Sequence, residues 1–123
     1  MSTFISGGCK NGKSFYAQQI AMAAGSPLYY IATMIPHDDE DQARIRRHRN
    51  ERAGWGFETL ECGSDILSCL DRADANGSFL LDSVTALLSN EMFSPDGFHP
   101  EAAAKIADEL CRFVGRAPKT VLV

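Results

Sequence analysis

An α/β fold built around a mostly parallel sheet is what this sequence predicts, and three observations carry that reading. Strand-like and helix-like stretches alternate along the whole chain. The one at 28–33 is a compact apolar run, as a strand buried on both faces requires. The first helix-like stretch follows directly on a Gly-rich turn, the way a strand-loop-helix unit opens a parallel sheet. With 123 residues, 45% hydrophobic and 23% charged, the chain is long enough for one core and too short for two. Residues 1–123 are therefore read as a single domain.

The elements follow in order. Thr3 to Ser6 is a short β run, and residues 13 to 24 set Ala17, Ile20, Ala21 and Ala24 on one helical stripe before Gly25 supplies a stop. Leu28 to Thr33 forms a second strand, ending near Ala32-Thr33-Met34 ahead of Pro36 and a charged segment. Residues 38 to 52 place acids first and bases last, which suits a helix dipole at both ends. The apolar content of that helix is Ala43 and Ile45 alone, so it must lie mostly in solvent, at a subunit contact, or over a ligand. After Trp55, Phe57 to Leu60 reads as a strand, and Ser64 is expected to cap a helix carrying Ile66, Leu67, Leu70 and Ala73.

Ser78 to Asp82 reads as a buried strand ending in an acid. Val84, Leu87, Leu88 and Met92 give a further helical stripe. Pro100 opens a helix with Ala103, Ile106, Ala107, Leu110 and Val114, closed by Gly115. Thr120 to Val123 begins one more strand, and nothing after it carries the backbone across the sheet. The expectation is that the C-terminal part of the domain is missing.

Composition narrows the function. A net charge of −4 argues against nucleic acid or an anionic membrane as the main partner, because either favours a basic surface. The amino terminus has no signal-peptide pattern, and no apolar run is long enough to span a bilayer, so a cytoplasmic protein is expected. Cys9, Cys62, Cys69 and Cys111 form no Cys-x-x-Cys pair and have no histidine at ligand spacing, which predicts reduced thiols.

The segment Gly7-Gly8-Cys9-Lys10-Asn11-Gly12-Lys13-Ser14 matches G-x-x-x-x-G-K-[ST]. In that pattern glycines let successive backbone N–H groups curl around a phosphate at a helix N-terminus, Lys13 reaches the β and γ phosphates, and Ser14 offers its hydroxyl to Mg²⁺. A fortuitous Gly-rich turn is the plainer alternative, but the strand before, the helix after and the position at the start of the chain weigh against it. The predicted fold is thus a P-loop NTPase of the RecA-like, three-layer kind. Such a site needs an acid on the Mg²⁺ side at the end of a neighbouring strand, and Asp82 is the best-placed candidate. Its competing role is to cap the helix that starts near Val84.

His48 lies four residues after Arg44, so on a helix the two share a face and one anion can contact both. With Arg46, Arg47 and Arg49 adjacent, nearby positive charge disfavours protonation and keeps an imidazole nucleophilic, while the helix C-terminus pushes the other way. Spacing alone leaves open that this is a solvated basic helix end. His37 and His99 neighbour prolines in loops and are read as structural.

These motifs together resemble the bifunctional adenosylcobinamide kinase / adenosylcobinamide-phosphate guanylyltransferase family of cobalamin biosynthesis. The resemblance rests on the P-loop at 7–14, Tyr30-Ile31-Ala32-Thr33, and Asp38-Asp39-Glu40 running through Ala43-Arg44-Ile45-Arg46-Arg47-His48-Arg49. Trp55 with Thr59-Leu60-Glu61, and Leu81-Asp82-Ser83-Val84-Thr85 on to Asn90, complete it. It implies phosphorylation of the aminopropanol hydroxyl of adenosylcobinamide by ATP or GTP, then transfer of GMP from GTP through a covalent GMP-histidine. It places that histidine at His48. It further implies nucleotide contacts from the P-loop, from Ala32, Thr33 and Met34, from Arg49, Asn50, Glu51 and Arg52, and from Glu61 and Asp82. Mg²⁺ held by Ser14 and Asp82, and a homotrimer, are also implied. Two other readings stay open on the residues alone: a different small-metabolite P-loop kinase with the arginines as a lid, and a nucleotide-binding module without turnover.

Overall fold

A computed structural model of the chain describes residues 2–5, 13–36 and 38–123, the side chains of residues 13–15 apart. The described elements are β1 (Thr3–Phe4), α1 (Lys13–Ala24), β2 (Leu28–Ala32), α2 (Asp39–Ala53), β3 (Phe57–Glu61), a 3₁₀ helix (Ile66–Arg72), β4 (Ser78–Asp82), α3 (Val84–Met92), β5 (Phe93–Ser94), β6 (Gly97–Phe98), α4 (Ala102–Arg116) and β7 (Thr120–Leu122). The five-stranded sheet runs in the order β1-β7-β4-β2-β3, and every pairing in it is parallel.

Alternate residues of the central strands feed two cores, one on each face, which is why the interiors of these strands are apolar. On one face Ala17 and Ala21 of α1 pack against Leu28, Tyr30, Phe57, Leu80 and Val121. On the other, Tyr29, Ile31, Phe79 and Leu81 meet Ile66, Leu87, Ile106 and Phe113 from the 3₁₀ helix, α3 and α4. Phe79 anchors that side, stacked on Tyr29 at 4.9 Å and edge-to-face with Phe113 at 5.5 Å between ring centroids. Helices thus cover both faces, giving the three-layer α/β architecture. No described helix is long and apolar enough to cross a membrane.

α1 ends at Gly25, whose φ of +104° only glycine adopts readily. Several local expectations change. The segment after β3 is a 3₁₀ helix without a Ser64 cap: Asp65 occupies the N-cap position with φ 51° and ψ 58°, and its carbonyl accepts from both the amide and the hydroxyl of Ser68. α4 runs through Gly115 and stops at Ala117, whose amide bonds the Phe113 carbonyl at 2.8 Å. Its buried stripe is Ala102, Ile106, Glu109 and Phe113, one position away from Ala103 and Ala107, which are exposed. An antiparallel hairpin, β5 with β6, interrupts the passage from α3 to α4. Its exposed Phe93 and Phe98 stack at 5.2 Å, and His99 beside it lies between Asp96 and Glu101 at 3.0 and 3.2 Å. Between α3 and α4, Lys105 Nζ lies 2.6 Å from Glu91 Oε1 and 3.8 Å from Glu109 Oε1.

Candidate active site

Register brings three strand ends to one edge of the sheet: Ala32 pairs with Glu61 on one side and with Asp82 on the other. In open parallel sheets the crevice beyond the carboxyl ends of the strands is where ligands bind. Here it is a cavity of about 810 Å³, within the range of about 300–1,000 Å³ usual for small-molecule sites. Strand ends and following loops supply one wall, with Tyr30, Ala32, Met34, Glu61, Cys62 and Asp82; α2 supplies the other.

α2 begins at Asp38, whose side chain accepts from the Asp41 amide at 2.7 Å, and continues with Asp39, Glu40 and Asp41 in its first turn. Almost nothing on it is apolar, and Arg52 is its one buried residue. Arg44, His48 and Arg52, four residues apart in succession, form one line along the helix, and all three line the cavity. Arg44 Nη2 is braced by Asp41 Oδ1 at 2.8 Å. His48 is half exposed, with Nδ1 3.7 Å from Glu51 Oε2. Arg49 pairs with Glu61 across to the end of β3, and its Nε is buried with no hydrogen-bond partner among the described residues.

Arg52 is 7% exposed, yet its guanidinium reaches only one hydrogen-bond acceptor among the described residues, Thr59 Oγ1 at 3.4 Å. The guanidinium carbon instead lies 3.7 Å from the centroid of the Tyr30 ring. Burial draws the Arg52 pKa below its ordinary value, opposed by the nearby Asp82 carboxylate. Tyr30 is pushed well above the usual phenol range, by burial first and then by the neighbouring Asp82 carboxylate to which its hydroxyl donates at 2.6 Å.

The turn after β4 is held from beneath. Ser83 caps α3, its side chain accepting from the Ala86 amide at 3.1 Å, so the capping role that competed for Asp82 belongs to its neighbour. Asn90 donates to the carbonyls of Thr33 and Gly63 at 2.7 and 3.0 Å, tying the ends of β2 and β3 to α3. Cys62 and Cys69 are buried side by side; hydrogen bonding from Cys69 brings the Cys62 thiol down to about 7, and the same contact pushes Cys69 up.

Of the residues that sequence reasoning singles out, Ala32, Met34, His48, Arg49, Glu51, Arg52, Glu61 and Asp82 converge on the cavity. Thr33 is fully buried, its hydroxyl engaged with Ser83 rather than with the cavity. Asn50 is exposed and away from it. Gly7, Gly8, Cys9, Lys10, Asn11 and Gly12 lie outside the described residues, as do His37 and the side chains of Lys13 and Ser14; the backbone of Lys13 and Ser14 opens α1. Gln18, Tyr30 and Trp55 also line the cavity and were not read as site residues. Gln18 had a signal, lying one turn after Ser14 on the same helix. Arginines, a histidine and a strand-end carboxylate around one cavity suit a ligand rich in phosphate.

The family model described as cobinamide kinase / cobinamide phosphate guanyltransferase matches residues 3–123. A bifunctional adenosylcobalamin biosynthesis protein, CobP, of Pseudomonas aeruginosa is 31% identical over 125 residues, covering 100% of this chain and 69% of that protein. The CobU proteins of Salmonella typhimurium and Escherichia coli, which carry the same description, are 36% and 35% identical, each over 79% of this chain and 53% of their own length. The chain thus spans between about half and about two thirds of the relatives it matches.

Proposed function

The chain belongs to the cobinamide kinase / cobinamide phosphate guanyltransferase family, and on that premise we propose that it carries out two successive transfers to a cobinamide. The first moves the γ-phosphoryl of ATP or GTP to the aminopropanol hydroxyl of adenosylcobinamide. In the second, a ring nitrogen of His48 attacks the α-phosphorus of GTP, an N–P bond forms and pyrophosphate leaves. A phosphate oxygen of adenosylcobinamide phosphate then attacks the same phosphorus, the N–P bond breaks, and a diphosphate linkage to GMP results.

The observation that carries this reading is the line Arg44–His48–Arg52 facing Asp82 across one cavity. His48 Nδ1 lies on the Glu51 side at 3.7 Å, an arrangement that favours attack by the other ring nitrogen, Nε2. Arg44 and Arg49 flank it, where negative charge builds on the phosphoryl oxygens. The P-loop sequence at 7–14 supplies backbone N–H groups and Lys13 for the β and γ phosphates. Mg²⁺ fits this donor set. No group of three or more His, Cys, Asp or Glu gathers to hold a metal among the described residues, as suits an ion held by one or two protein oxygens, water and substrate phosphates. Asp82 and Ser14 would hold it, where it neutralises phosphate charge.

Assembly as a homotrimer and a cytoplasmic location belong to the same reading. Both fit a helix without an apolar stripe and a chain with no spanning helix among its described residues.

The test is product analysis with adenosylcobinamide, GTP and Mg²⁺. Wild type is expected to yield the phosphate and then the GDP derivative, whereas His48→Ala stops at the phosphate. Formation of the GDP derivative by His48→Ala would refute the assignment.

A further inference from the structure

Tyr29 and Tyr30 are adjacent in β2 and point to opposite faces of the sheet. Tyr29 belongs to the core beside α4, where its hydroxyl accepts from the Asp74 amide at 3.0 Å. Tyr30 lies on the face nearer the cavity, opposite Thr59 on β3 and Leu80 on β4. From that place it reaches two residues further along β4 to donate to Asp82 Oδ2 at 2.6 Å. Its ring face carries the Arg52 guanidinium, and Phe57 holds the ring edge-on at 6.4 Å. One side chain thus touches both walls of the cavity.

α2 has no hydrophobic stripe with which to dock on the sheet, and Arg52 is the one residue it buries. Arg52 Nε has no hydrogen-bond partner among the described residues, and the Thr59 contact is long, so the Tyr30 ring is the main seat of the guanidinium. His48 sits one turn earlier on the same helical face.

We propose that Tyr30 is a positioning residue for both transfers, fixing Asp82 through its hydroxyl and, through Arg52 on its ring, the helical turn that presents His48. This rests on the function proposed above. The two halves separate cleanly by chemistry. Tyr30→Phe keeps the ring and removes the hydroxyl, whereas Tyr30→Leu removes both.

The experiment measures two quantities on wild type, Tyr30→Phe, Tyr30→Leu and the matched control Tyr29→Phe. One is the gain in GTP affinity on adding Mg²⁺ over EDTA, by equilibrium titration; the other is the single-turnover rate of GMP incorporation at His48. Tyr30→Phe is expected to lose about tenfold of the Mg²⁺-dependent gain, with its affinity in EDTA unchanged and its incorporation rate within about threefold of wild type. Tyr30→Leu is expected to lose the same gain and also about a hundredfold in rate, the scale of an ångström-sized misplacement. Tyr29→Phe is expected to match wild type in both.

A full Mg²⁺ gain in Tyr30→Phe, or wild-type incorporation in Tyr30→Leu, would overturn the proposal. Should wild type itself take up no GMP, the guanylyl reading fails, and the Mg²⁺ gain, which needs no turnover, still decides the Tyr30–Asp82 half. Should Tyr30→Leu not fold, the comparison of Tyr30→Phe with Tyr29→Phe decides it.

Discussion

The Thr33 hydroxyl grips the backbone of Ser83 from both sides, donating to its carbonyl at 2.8 Å and accepting from its amide at 2.7 Å. Ser83 is the residue after Asp82, so this contact between two strand ends sets where the Asp82 carboxylate begins. Thr33 is fully buried, and water cannot replace what its side chain provides. Thr33→Val is expected to cost about 1–3 kcal/mol in urea unfolding, by leaving buried backbone groups unpaired. It should also weaken nucleotide binding through Asp82. Thr33→Ser keeps the hydroxyl and should lose about 1 kcal/mol or less, with binding intact.

Two glycines offer a contrast between a site effect and a fold effect. A Cβ on Gly63 would meet Ile35 Cγ1 at 2.7 Å, where Ile35 lines the cavity, and approach Asn90 Nδ2 at 3.4 Å. A Cβ on Gly77 would meet the Pro27 carbonyl at 2.8 Å and the Tyr29 ring at 2.9 Å, at the opposite end of the sheet from the cavity. Gly77→Ala is expected to destabilise by about 1–3 kcal/mol with nucleotide affinity unchanged. Gly63→Ala should displace the Ile35 side chain at smaller stability cost and raise the nucleotide Kd. Thermal melts paired with equilibrium titration distinguish the two patterns.

A third prediction concerns α3 and α4. Burial, the largest cause, lifts the Glu109 carboxyl above its ordinary value of 4.5, and Lys105 opposes that rise. The stability this group contributes is full below 4.5 and is lost as pH climbs through the raised folded value. Glu91 Oε2 and Glu109 Oε1 have no hydrogen-bond partners among the described residues, so removing Lys105 leaves two crowded carboxylates. Lys105→Met is expected to cost about 1 kcal/mol at pH 7, because solvent screens the exposed lysine. The cost should shrink toward pH 4.5, where protonation relieves the repulsion. An equal loss at both pH values would contradict this.

The layers of the fold were legible because burial on both faces leaves a signature in the strands themselves. Leu28–Ala32 is an unbroken apolar run, and Ser78–Asp82 sets Phe79, Leu80 and Leu81 between polar ends; both are short enough for strands rather than helices. The acid-first, base-last order of α2 predicts the helix that is seen, and its lack of an apolar stripe predicts one in solvent, at a subunit contact or over a ligand; it is largely exposed and walls the cavity. The stripe predicted for α4 holds at Ile106, which is buried, and at Leu110, which packs on the core, but Ala103 and Ala107 are exposed and Ala102, Glu109 and Phe113 complete the buried face. The hairpin at 93–98 hid behind two-residue strands, although Pro95-Asp96-Gly97 is a turn signal.

Within the site, His48 and Asp82 were legible by motif, but what holds them was not. Tyr30 and Asp82 are 52 residues apart, and only the sheet register makes them neighbours. Arg52 is named by the resemblance as a nucleotide contact, but nothing in the sequence shows the buried seat that the Tyr30 ring gives it. Charge patterning counts residues along a helix and carries no information about which aromatic lies beneath it.

The most direct measurement is covalent. With GTP labelled on the α-phosphate and Mg²⁺, the protein is expected to acquire one GMP on His48, through a bond that is acid-labile and alkali-stable as a phosphoramidate is. The label should be absent from His48→Ala and discharged by adenosylcobinamide phosphate. Label that persists in His48→Ala, or a wild-type protein that binds GTP and never becomes labelled, would contradict the account.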